Sequence, residues 1–227
     1  MATATLAGST GLVGSNILNQ VLASPSFSAI YAYSRRELPN PNGSTKLNPI
    51  TSTDNAQWPS LFPRESKPKI LLSALGTTRA GAGGLEGQRK IDYELNLELA
   101  KAAKDAGVET YVLISSGGAS STSMMAYPRL KGELEEAVKA LEFKHTVILR
   151  PGLIVGERNE SRPAEAVIRG IAKGLRSLTP ALTNFWAQDA SVIARAAVNA
   201  GVQCIEGKKE AGVWELGQAD IIALGKA

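Results

Sequence analysis

The feature that most constrains this chain is a glycine turn eight residues from its start. Gly8-Ser9-Thr10-Gly11-Leu12-Val13-Gly14 spells G-x-x-G-x-x-G, directly after the apolar run 2–7 and directly before a segment with helical spacing (Ile17, Val21, Leu22). Each glycine has a physical use. The first permits a tight turn, the second removes a side chain where a pyrophosphate approaches, and the third lets the helix pack closely on the strand. The helix start then offers backbone N–H groups and a positive dipole end to phosphate. A strand–turn–helix of this kind, so early in a chain, predicts a dinucleotide-binding α/β fold.

The rest of the pattern agrees. Strands are expected at 29–33, 69–74, 111–115, 146–149 and 212–216, and helices at 15–23, 87–106, 128–141, 163–178 and 190–201. Residues 69–74, KILLSA, are a continuous apolar run, as expected of a strand covered on both faces. This alternation predicts a Rossmann-like, doubly wound parallel sheet with helices on both faces, in a single domain over 1–227. Residues 39–53, rich in Pro, Asn, Ser and Thr, read as a long surface loop. The substrate side is expected from about 156–189, the serine-rich loop after residue 116 and the C-terminal segment.

Composition removes several classes of function. One cysteine, Cys204, and one histidine, His145, exclude intrachain disulfides, thiolate zinc sites and multi-histidine metal sites. Cys204 reads as a small packed residue and His145 as a partly exposed structural one. The excess of 25 basic over 21 acidic residues is a net charge of +4, with no basic cluster, which argues against a nucleic-acid partner. The first Lys or Arg is Arg35, so the start does not resemble a signal or transit peptide. No window reaches the ~20 apolar residues of a spanning helix. A soluble or at most peripheral protein, not secreted, is the expectation.

The end of the second strand bears on which dinucleotide fits. An acid there holds the ribose 2′-hydroxyl of NAD. Here the position carries Ser34, followed by Arg35 and Arg36. Guanidiniums suit a 2′-phosphate through forked, charge-assisted bonds, so NADPH/NADP+ is the expected cofactor.

Further along, a strand ending in Ser115-Ser116 is followed by Tyr127-Pro128-Arg129-Leu130-Lys131. A helix brings Tyr127 and Lys131 to one face, and Pro128 suits its first turn. Lysine one turn away favours the phenolate, and a serine hydroxyl orients a carbonyl. The set can move a proton during hydride transfer. Ser115, Ser116, Ser120 and Ser121 compete for the serine role, with Ser116 preferred. Asn96 is a candidate fourth group. Glu133, Glu135, Glu136 and Lys139 read as a solvated helix face.

Taken with 75–79 (LGTTR), 127–132 (YPRLKG), Arg150-Pro151-Gly152 and 157–163 (ERNESRP), these stretches resemble the atypical or extended branch of the short-chain dehydrogenases/reductases. More closely, they resemble the Tat-interacting-protein-like oxidoreductases and their fungal mitochondrial-proteome relatives, in order over residues 3–163. The resemblance implies NADPH on a Rossmann fold. Ser9, Thr10, Gly11, Leu12 and Val13 would meet pyrophosphate and ribose, and Arg35 and Arg36 the 2′-phosphate. Leu75, Gly76, Thr77 and Thr78 would line the cofactor's middle. Ser115, with Pro151, Gly152, Leu153 and Ile154, would lie by the nicotinamide, and Arg162 would close over it. Tyr127 would exchange the proton, with Lys131 on the ribose lowering its pKa. The expected activity is carbonyl reduction or alcohol oxidation on a small organic substrate. The alternative is an NADPH-binding regulatory protein with a protein partner and little turnover. The resemblance also implies a cytoplasmic or mitochondrion-associated location, at the cytosolic face of the outer membrane.

Overall fold

The computed structural model describes residues 1–40, 43–155 and 187–226. The described chain runs β1 (Ala2–Ala7), α1 (Leu12–Ala23), β2 (Phe27–Ser34), β3 (Leu47–Thr51), β4 (Ile70–Ser73), α2 (Leu85–Arg89) and α3 (Asn96–Asp105), followed by β5 (Thr110–Ile114) and α4 (Ala126–Lys139). After these come β6 (His145–Leu149), β7 (Leu153–Val155), β8 (Ala187–Asp189), α5 (Ala190–Ile205), β9 (Gly212–Leu216) and α6 (Gln218–Lys226).

Seven strands form one sheet in the order β3-β2-β1-β4-β5-β6-β9, and every pairing is parallel. This is the doubly wound Rossmann-like arrangement expected from the sequence. The chain leaves β1 toward β2 on one side and returns to β4 on the other. The sheet's topological switch therefore lies between β1 and β4, where such folds bind ligands at the strands' carboxyl ends. A second, two-stranded sheet pairs β7 with β8.

Apolar packing fills both faces. On one, Ile17 and Val21 of α1 and Ile193 and Ala197 of α5 meet Leu6, Ile30 and Val112. Small side chains let α5 sit close. A Cβ at Gly201 would lie 2.5 Å from Ile70 Cδ1. On the other face, Leu99 and Ala103 of α3 and Leu134 and Val138 of α4 cover Leu71, Tyr111 and Leu113, and Tyr33 stacks on Trp58 at 5.2 Å.

Four expectations need correction. Residues 39–53 are not all loop, because 47–51 form β3. This is an edge strand, where Pro49 is tolerated since no partner needs its missing N–H. The helix expected over 87–106 is interrupted by a π-helical turn, Lys90–Leu95. Asn96 Nδ2 donates to the Ile91 and Asp92 carbonyls there, at 3.2 and 3.1 Å. His145 is buried, not partly exposed, since β6 lies inside the sheet. Glu135 is only 1 % exposed, so the acidic run of α4 is not one solvated face. The helix expected at 163–178, Arg162 and most of 156–189 lie outside the described residues.

Candidate active site

The glycine turn occupies the topological switch. Gly8 has φ +84°, and a Cβ there would lie 2.5 Å from the Ala74 carbonyl oxygen beyond β4. A Cβ at Gly14 would lie 1.9 Å from Gly8 O. Both positions admit glycine alone. Gly11 is looser (3.3 Å to Gly8 O) and stands at the start of α1, where no side chain caps the helix and no acid occupies the first turn. The first-turn amides that include Leu12 and Val13 are therefore left for a ligand's anionic group. Ser9 Oγ donates to Tyr33 O at 2.6 Å, tying the turn to the end of β2.

Arg35 and Arg36 are exposed directly after that tie. The Ser34 hydroxyl donates to the Arg36 carbonyl at 2.5 Å, so it shapes the loop instead of facing a ligand. The cradle of close-packed glycines and the uncapped helix start fit the pyrophosphate of a dinucleotide.

The 75–79 segment is held from behind by a carboxylate. Leu75 is buried, while Gly76 and Thr78 are exposed. Asp92, in the π turn, accepts the Thr77 amide at 2.7 Å and Gln88 Nε2 at 3.5 Å, and Gln88 Nε2 also donates to Thr77 O at 3.1 Å. Burial raises the Asp92 pKa against the pull of Lys131 and these donors. Sequence reasoning passed over Asp92 and Gln88 because a lone helical Asp or Gln carries no signature. The π turn that aims Asp92 is equally silent.

Tyr127 stands in the first turn of α4 and lines a cleft of about 450 Å³ with Thr77, Thr78, Arg79, Leu85, Gln88 and Ala126. The Ser116 hydroxyl donates to Gly117 O at 3.3 Å and lies near enough to the Tyr127 phenol to favour its ionised form. Lys131, one turn on, is 3 % exposed. Burial lowers the Lys131 pKa, while Asp92 and Glu135 raise it. Tyr127 is 41 % exposed; partial desolvation of its phenol and the negative charge of Asp92 place its pKa above the ordinary value. The lowering expected from Lys131 is not seen.

Of the competing serines, Ser116 is the one whose hydroxyl affects the tyrosine's pKa. Ser115 is turned inward and donates to Glu135 Oε1 at 2.5 Å, so its hydroxyl is structural. Ser120 bonds Thr122 at 3.0 Å in the exposed loop. That loop rests on α4 through Gly132, where a Cβ would lie 2.2 Å from the Ser120 carbonyl carbon. The side chain of Asn96 is spent on the π turn and on Ser73 Oγ, at 2.5 Å, and it offers nothing to a ligand.

Beneath the site, Arg150 joins Glu135 (2.5 Å) to Glu215 (2.7 Å), and Lys139 meets Glu215 at 2.8 Å. This network ties α4 to the end of β6 and to β9, and Ser115 joins it from the end of β5 through Glu135. Gly117 N donates to Pro151 O at 2.6 Å. Gly152 N bonds Gln188 Oε1 at 3.2 Å, and Leu153 and Ile154 enter β7. The Cys204 thiol, raised by burial to about 11, is inert packing. Among the described residues no group of three or more His, Cys, Asp or Glu could hold a metal, and no helix is long and apolar enough to cross a membrane.

The strand order, with the glycine turn at its switch, defines a protein of short-chain dehydrogenase/reductase fold. Solved structures agree on the fold. The UDP-Glc/GlcNAc 4-epimerase of Campylobacter jejuni superposes with a TM-score of 0.69 at 15 % identity, over 98 % of this chain and 82 % of that one. The Bordetella bronchiseptica enzyme WbmH, in complex with NAD+, gives 0.67 at 14 % over 95 % and 75 %. Within that fold the chain belongs to the HIM1 family, matched over residues 42–179. It is similar throughout to fungal Fmp52 proteins. "Protein fmp52, mitochondrial" of Aspergillus clavatus is 51 % identical over 99 % of both chains. Its Neurospora crassa counterpart is 43 % identical over 97 % of this chain and 94 % of its own.

Proposed function

We propose that this protein is an NADPH-dependent oxidoreductase that reduces the carbonyl of a small organic substrate. The observation that carries this is the cleft lined by Tyr127, with Lys131 one turn further along the same helix, whose other wall is the 77–79 loop that begins against the glycine turn. Bound NADPH supplies a hydride to the carbonyl carbon; with one proton added at the oxygen, the carbonyl becomes an alcohol and the nicotinamide is left oxidised.

The chain's own residues supply the rest. Tyr127 gives the proton, since burial and Asp92 keep its phenol neutral well above physiological pH. That state suits an acid, and so the direction of reduction. Ser116 aligns the carbonyl oxygen with the phenol. Lys131 offers a buried ammonium to the nicotinamide ribose. The first-turn amides of α1 hold the pyrophosphate, and Arg35 and Arg36 hold the 2′-phosphate. The NAD named with the structural neighbours is no guide to this choice, which rests on Ser34 standing where an acid would select NAD and on the two arginines that follow it.

One observation favours a second reading. Lys131 does not pull the Tyr127 pKa down, which suits an NADPH-responsive regulatory protein with a protein partner and slow chemistry. The names of the relatives support a mitochondrial association, and a place at the cytosolic face of the outer membrane is part of the same proposal.

The test is calorimetric titration with NADPH and NADH, of wild type and of Arg35→Ala. NADPH is expected to bind more tightly than NADH, and the variant to narrow the gap. Equal affinities would remove the cofactor assignment. Binding of neither nucleotide would make the glycine turn purely structural.

A further inference from the structure

The cleft at Tyr127 has one charged wall. Leu85 and Ala126 make part of its lining apolar, and Thr77, Thr78 and Gln88 are neutral. Arg79 is the only charged residue among the described lining residues. It is exposed, and its guanidinium takes part in no hydrogen bond or ion pair among the described residues. The nearby arginines differ. Arg89 is bound to Glu133 at 2.7 Å, and Arg129 lies 3.9 Å from the same carboxylate.

Arg79 is also held in place. Gly84 N donates to the Arg79 carbonyl at 2.9 Å, Ala82 N to Thr78 O at 3.0 Å and Gly81 N to Thr78 Oγ1 at 3.1 Å. Behind the loop, Gly87 has no room for a Cβ, which would lie 2.0 Å from Ala82 O. These contacts fix the backbone of the loop, and so the point from which the Arg79 side chain reaches the cleft. Asp92, the buried carboxylate that holds the loop at Thr77, is turned to the Thr77 amide, Gln88 and Lys131 and makes no ion pair with Arg79. A guanidinium at the edge of a partly apolar cleft attracts and orients an oxyanion, with forked, charge-assisted bonds.

We infer that the substrate is a carbonyl compound with an apolar body and an anionic end, carboxylate or phosphate, which Arg79 binds while Tyr127 faces the carbonyl. This rests on the reductase reading above and adds the substrate's class. The reaction stays balanced as written there, since the anionic end takes no part in it.

Three probes share one ring: 4-formylbenzoate, its methyl ester and 4-formylphenyl phosphate. With NADPH as reductant, the kcat/KM of at least one anionic probe is expected to exceed that of the ester by about tenfold or more. The better anion identifies the end group. In Arg79→Gln, whose fold is checked by thermal unfolding, the anion-to-ester ratio should fall to about one. Equal rates on anions and ester in the wild type would overturn the inference and leave the reductase reading standing. So would a loss of NADPH affinity in Arg79→Gln as large as the loss toward the anion, which would assign the guanidinium to the cofactor. If no probe is turned over, calorimetric binding of the two anions decides. Binding that Arg79→Gln removes supports the anion site without the reductase reading, and absence of binding overturns it.

Discussion

Asp92 Oδ1 accepts the Thr77 amide at 2.7 Å, and the charge of the same carboxylate is felt by both Lys131 and Tyr127. One buried side chain therefore shapes the wall of the cleft and sets the proton affinity of its acid. Reduction needs a neutral phenol, so activity should be present below the Tyr127 pKa and lost above it. Asp92 raises that pKa, and removing its charge lowers it. Asp92 also supports the charged form of Lys131, so its loss moves the lysine's deprotonation in the same direction. Asp92→Asn should shift the alkaline limb of the kcat/KM profile for carbonyl reduction to lower pH. An unmoved limb would leave Asp92 with the loop alone.

Tyr127→Phe removes the proton donor but not the cleft. Turnover should fall about 10²- to 10⁴-fold, the usual contribution of a placed acid. NADPH should still bind by calorimetry. Unchanged turnover would transfer the proton to another group and undo the role assigned here.

Gly132 touches the serine loop backbone to backbone. Gly132→Ala places a methyl 2.2 Å from the Ser120 carbonyl carbon, and neither helix nor loop has a flexible side chain there to move aside. A loss of about 3 kcal/mol is expected, at the upper end for overpacking, together with displacement of Ser116 from Tyr127. Thermal unfolding and turnover measure the two effects separately.

Glu135 is buried between Ser115 and Arg150. Glu135→Ala should cost about 3 kcal/mol, toward the low end for breaking a buried pair, because Arg150 keeps Glu215 at 2.7 Å. Urea unfolding reads this directly. Glu135→Gln, which retains an acceptor for Ser115, should lose less.

The sheet was legible because strands covered on both faces read as apolar runs, as Ile70–Ser73 does, and because Gly8 and Gly14 have no substitute at their contacts. The meeting of Tyr127 and Lys131 on α4 followed from helical spacing. What sequence left dark were groups whose importance lies in burial. Glu135 sits among Glu133 and Glu136, which are solvent-facing, and only the fold distinguishes it. Asp92 has an ordinary neighbourhood in the chain and an unusual one in space. β3 was hidden by Pro49, which argues against a strand everywhere except at an edge.

The π turn Lys90–Leu95 carries one residue more than an α turn needs. One residue of helix is ~100° of rotation. The helix therefore changes phase in its middle. Downstream, Leu99 and Ala103 keep step with the core. Upstream, Gln88 keeps step with the cleft, and Asp92, within the turn, with the Thr77 amide at its wall. Excising one residue here would heal the helix while turning one of these sets away from its partner. This helix carries two messages in two reading phases, one for folding and one for chemistry, and a single inserted residue keeps them apart.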